Sequence, residues 1–66
     1  MGRVTIAIAN QGQKAYDTEE IKDWEPLKVS YLGDIVLFQV EGDNDEGEKE
    51  MTQYSMSVDE YNSVFA

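Results

Sequence analysis

Large and small side chains alternate at the start of the chain. Val4, Ile6 and Ile8 fall on one side and Thr5, Ala7 and Ala9 on the other, a period of two that predicts a strand over Arg3–Ala9. Asn10-Gln11-Gly12-Gln13 breaks that pattern with turn-prone residues. In Tyr16-Asp17-Thr18-Glu19-Glu20-Ile21, Asp17 can cap a helix, Glu20 can close a capping box and Tyr16 can pack on Ile21 as a hydrophobic staple. A short helix from Thr18 to Trp24 is expected, ended by Pro26, which pushes the residue before it out of helical space. Lys28–Leu32 and Ile35–Val40 flank Gly33-Asp34, a glycine-first loop suited to a type II′ hairpin. Ile35-Val36-Leu37-Phe38 is the densest apolar run in the chain.

Beyond the charged turn Glu41–Glu50, where Asn44 and Gly47 supply turn chemistry, Lys49–Met56 reads as the returning strand. It carries Thr52, Tyr54 and Met56 on one face and Met51, Gln53 and Ser55 on the other. Ser57 and Glu60 then repeat the capping device, with Met56 and Tyr61 as the staple. Val58, Tyr61, Val64 and Phe65 share one side of the closing helix, which is too short to persist unless that side docks on the sheet. Val58 and Val64 are the first choices for core. The pattern therefore predicts one α+β domain over residues 1–66: an antiparallel sheet of about four strands, a short helix after the first strand and a short C-terminal helix; it does not determine strand order, and the first strand could lie at either edge.

Composition narrows the chemistry. At 66 residues folding buries only about 60% of the surface the unfolded chain exposes, so stability is small and a partner subunit would add to it. The chain has no cysteine and no histidine, which removes disulfide staples, thiolate zinc sites and the usual general base near neutral pH. Its 41% apolar content and seven aromatic residues, four Tyr, two Phe and one Trp, set it apart from acidic disordered tails. The longest early apolar run, Val4–Ala9, is too short for a signal core or a membrane span, and a cytoplasmic location is expected.

Charge changes the picture more. The net charge of −9 opposes direct contact with nucleic acid or anionic membranes. It is also uneven: residues 1–16 carry +2, 17–25 carry −4, 26–40 are neutral, 41–50 carry −5 and 51–66 carry −2. Asp43-x-Asp45-x-Gly47 resembles part of a calcium loop, but counting from Asp43 the sixth position is Glu48 and the twelfth Tyr54, where an EF-hand needs Gly and Glu. Glu19, Glu20, Asp59 and Glu60 are explained as helix-start acids favoured by the macrodipole. So small a chain has little room for the pocket that would raise one carboxyl pKa for acid–base work. No catalytic residue, metal site or cofactor is expected.

The acids themselves are then the candidate function. Carboxylates along a ridge, with aromatics among them, can imitate nucleic-acid phosphates and occupy the basic groove of a nucleic-acid-binding protein, such as a DNA repair or defence enzyme. Asp43, Asp45, Glu46, Glu48 and Glu50 form one arm, Asp59 and Glu60 another, and Tyr54, Tyr61 and Trp24 are candidate anchors. Both arms are expected to face the partner together; arms at opposite ends of the fold would instead point to acids that are only solvated.

From Asp34 to Phe65 the order of apolar strand, Asp-rich turn, Tyr-bearing strand, Ser-x-Ser cap and acidic helix start resembles the small dimeric uracil-DNA glycosylase inhibitors of phages. Glu60 matches that family's helix start and Ser57 lies near its cap, whereas Asp59 stands where an aromatic is expected and Ser63 where a Tyr is expected. The resemblance implies a homodimer that blocks the DNA-binding face of the glycosylase. The alternative is a homo-oligomeric structural or adaptor module in which the Ile35–Phe38 strand or the first strand pairs across an edge and acidity only maintains solubility.

Overall fold

The computed structural model describes residues 2–65. The chain runs β1 (Arg3–Ile8), β2 (Gly12–Asp17), α1 (Thr18–Ile21), β3 (Leu27–Leu32), β4 (Ile35–Asp43), β5 (Lys49–Ser57) and α2 (Val58–Phe65). All strand pairs are antiparallel, in one sheet of order β2-β1-β5-β4-β3. The architecture is α+β as expected, with five strands rather than about four.

The additional strand is β2, and it shifts the first helix: α1 follows β2, not the first strand. The β1–β2 connection closes on a hydrogen bond from Gln11 N to Ile8 O at 3.0 Å. Asn10 takes φ 66 there, at the turn position that demands a positive value and that Asn accepts more readily than most residues. The sequence Gly12-Gln13-Lys14-Ala15-Tyr16-Asp17 lacks apolar alternation because β2 is an edge strand whose first four residues are exposed. Its backbone pairing to β1, from Arg3↔Asp17 to Ile8↔Gly12, holds it in place. That hairpin makes β1 interior rather than an edge.

Interior position also corrects the expected mode of self-association. Neither β1 nor the Ile35–Phe38 strand can pair across an edge, because both already have two neighbours. The free edges belong to β2 and β3. On β3 a bulge places two residues, Lys28 and Val29, opposite one on β4, and Lys28 sits at φ 52. A bulge and a lysine together blunt an edge against further strand addition.

The β3–β4 hairpin matches its expected turn: Gly33 has φ 62 while Asp34 does not take a positive φ, as a type II′ turn requires. The helices cover one face of the sheet. Val4, Ile6, Val36, Phe38 and Met56 from the strands meet Ile21 and Tyr61 from the helices, and Phe38, Ile6, Ile21 and Val36 are fully enclosed. Tyr61 is only 9% exposed, whereas Val58 and Val64 are partly buried, the reverse of the expected order. The Tyr61 ring lies 5.6 Å from Phe38, 5.1 Å from Phe65 and 6.3 Å from Tyr31. Its size lets it reach the sheet centre from a helix that the shorter valines only flank. Among the described residues no helix is long and apolar enough to cross a membrane.

Candidate acidic groove

Carboxylates at both helix starts serve local structure. Asp17 caps α1 and Glu20 returns a bond to the Asp17 backbone at 3.1 Å, the capping box expected from sequence. The helix is shorter than expected, ending at Ile21, although Trp24 N still reaches Ile21 O at 3.0 Å. Lys22 pairs with Glu19 at 2.8 Å. That contact holds the Glu19 carboxyl below its ordinary value, through the hydrogen bond first and charge second.

At the start of α2, Ser57 Oγ accepts from Glu60 N at 3.2 Å and donates to Glu60 Oε1 at 3.1 Å. Glu60 Oε2 also accepts from Thr5 N at 3.4 Å. The regular β1–β5 register covers only Ala7↔Ser55 and Ile8↔Tyr54, so this carboxylate supplies an acceptor where β1 has separated from β5. Glu60 is therefore bound into the fold. Asp59 beside it is exposed, near Asp34, whose carbonyl accepts from Val58 N at 2.8 Å.

The charged turn is built differently. Asn44 Oδ1 accepts from Glu46 N at 2.9 Å and from Glu48 N at 3.0 Å, Asn44 N donates to Glu48 O at 2.9 Å, and Gly47 takes φ 79. Asn44 and Gly47 thus provide the turn chemistry anticipated for them. Among the described residues, the side chains of Asp43, Asp45, Glu46, Glu48 and Glu50 take part in no hydrogen bond or ion pair. Glu41 is paired with Lys49 at 3.3 Å on the exposed surface.

The structure separates the two acidic arms. The turn and the α2 start lie at opposite ends of the nine-residue β5, about 26 Å apart at ~3.3 Å per residue. They do not form one contiguous acidic face, which counts against a site that uses both arms and for solvation of the α2 acids that the fold does not bind. What joins the turn instead is the other acidic segment of the sequence. Asp23, Glu25 and Glu41 line a groove of about 430 Å3 whose apolar surface comes from Trp24, Leu27, Val40 and Tyr54.

Two of the three expected anchors meet here. The Trp24 and Tyr54 rings lie 4.9 Å apart, Tyr16 meets Trp24 edge-on at 5.4 Å, and Phe38 lies 5.7 Å behind Tyr54. Burial raises the phenols of Tyr54 and Tyr16 above their ordinary value of 10.0, with Tyr16 as a lesser influence on Tyr54 and Glu20 as a lesser influence on Tyr16. Tyr61, the third, is in the core. Asp23 and Glu25 were not among the expected site residues. The signal for them was the −4 charge of residues 17–25 and the placement of Trp24 between two acids.

Comparison with family models, curated proteins and solved structures returned no match.

Proposed function

We propose that this protein is a non-enzymatic, cytoplasmic ligand for a basic nucleic-acid-binding protein, and that it acts by occupying the groove in which that protein holds nucleic acid. The observation that carries the reading is the end of the molecule where the Trp24–Tyr54 groove, rimmed by Asp23, Glu25 and Glu41, lies beside a hairpin tip bearing five unpaired carboxylates, three in the turn and two on the strand ends Asp43 and Glu50. Charge would steer the encounter and the apolar floor would give the lasting contact. A phage origin and uracil-DNA glycosylase as the target rest on the resemblance of Asp34–Phe65 to the phage inhibitors.

The test is capture of proteins from a bacterial lysate at low and high salt, with inhibition of purified uracil-DNA glycosylase as a separate arm. Basic nucleic-acid enzymes should be retained at low salt and released as salt rises. Changing Asp43, Asp45, Glu46, Glu48 and Glu50 to their amides should slow association about tenfold or more. Unchanged capture by that variant would refute the mimicry.

A second reading has its own observation. The sheet face opposite the helices is uncovered and carries Leu32 at 68% and Ile35 at 46% exposure, with Met51 further along it. A homodimer would bury this face by stacking sheet on sheet, which does not need a free strand edge. Sedimentation at micromolar concentration distinguishes it: a monomer removes this reading and leaves the first intact.

A further inference from the structure

We infer that the Trp24–Tyr54 groove is a receptor for an arginine side chain of the partner. The inference rests on the proposed basic partner and specifies what that partner inserts. The groove combines two features that favour a guanidinium. Its floor is aromatic, and a guanidinium stacks on indole and phenol rings within ~6 Å of the centroid. Its rim is anionic: among the described residues Asp23 and Glu25 form no ion pair or side-chain hydrogen bond, and carboxylates accept the planar fork of donors that arginine presents.

The surrounding charges leave that rim open. Lys22 is paired with Glu19, with Asp23 only a minor influence on it, and Lys49 is paired with Glu41. Lys14 Nζ lies 5.0 Å from the Tyr16 ring centroid, and its charge slightly lowers the Tyr54 phenol against the larger effect of burial. Tyr16 in turn abuts Trp24. The aromatic row therefore already accommodates a cation at Tyr16, outside the residues that line the groove. At about 430 Å3 the space falls within the ~300–1,000 Å3 of ordinary ligand sites. An apolar anchor such as leucine would fill the floor but leave the Asp23 and Glu25 carboxylates facing apolar surface.

Trp24 is the chain's one tryptophan, so its fluorescence reports on the groove directly. The full chain is titrated at low salt with acetyl-Gly-Arg-Gly-Arg-Gly-amide and with counterparts in which citrulline, lysine or leucine replaces arginine. The arginyl peptide should change Trp24 emission saturably, the lysyl peptide should bind more weakly because an ammonium does not stack, and the citrulline and leucine peptides should have little effect. The double variant Asp23→Asn/Glu25→Gln, at two exposed positions, should weaken the arginyl peptide roughly threefold to tenfold with an unchanged far-UV circular dichroism spectrum. The inference is overturned if citrulline or leucine peptides act as strongly as arginine, if lysine equals arginine, or if the double variant binds as the parent does. A parent chain that captures basic enzymes from lysate yet ignores arginyl peptides removes the receptor and leaves the mimicry standing. Saturable arginyl binding without any lysate capture does the opposite.

Discussion

The two ends of the β4–β5 ribbon use the same chemical group in opposite ways. At the α2 end the Glu60 carboxylate is bonded to Ser57 and to the Thr5 backbone, so its charge is committed to holding the helix and β1 in place. At the Asn44 end the carboxylates of Asp43, Asp45, Glu46, Glu48 and Glu50 bind nothing within the described residues, and an asparagine holds the turn. Acids that look alike along the chain thus divide into structural and free ones. Glu60 finds a hydroxyl and a strand N–H within reach beside the helix start, whereas the five tip carboxylates project into water without a partner.

The strongest challenge to this division is to disturb both ends at once. Phe38 touches Tyr54 on the groove side and Tyr61 and Phe65 on the helix side, and it is fully buried. Phe38→Ala should cost about 3–5 kcal/mol, a loss comparable to the whole stability of a domain this small, and urea unfolding followed by circular dichroism should show a chain largely unfolded in water.

Smaller changes treat the ends separately. Glu60→Ala leaves the Thr5 N–H and the Ser57 hydroxyl without that acceptor and should cost about 1–2 kcal/mol in urea unfolding, with faster hydrogen exchange at Thr5 and in the first turn of α2. Alkali tests the aromatic packing that joins the ends. Burial raises the phenols of Tyr16, Tyr54 and Tyr61, so the folded state favours their neutral forms. The stability this contributes is complete below 10.0 and declines as pH rises through the folded-state values. Phenolate absorbance should lag behind that of the urea-unfolded chain, and melting temperature should fall over the same range.

The least effect on stability is expected where the effect on binding is greatest. Amidating all five turn carboxylates takes the net charge from −9 to −4 and should change stability by no more than about 0.5 kcal/mol, in the stabilising direction at low salt. A loss of more than that would mean the turn acids are structural after all, and the contrast between the ends would fail.

Local chemistry was legible along the chain because it depends on neighbours a few residues apart. Alternation marked β1, Gly33-Asp34 marked the β3–β4 turn, the Asp17–Glu20 and Ser57–Glu60 pairs marked both helix starts, and Asn44 with Gly47 marked the charged turn. β2 was not legible, since an exposed edge strand has no apolar pattern and owes its place to hydrogen bonds with β1. The burial of Tyr61 over Val58 and Val64 depended on how far α2 stands from Phe38.

The candidate site divides in the same way. Which residues are acidic, and that Trp24 and Tyr54 could serve as anchors, is written in the residues themselves. That Trp24 meets Tyr54, 30 positions later, and that Asp23 and Glu25 join Glu41, was decided by sheet order, whereas the distance of Asp59 and Glu60 from the turn follows from the length of the strand between them. Charge and cap chemistry are properties of a few adjacent residues, but a groove exists only once distant strands are paired, because its walls belong to no single segment.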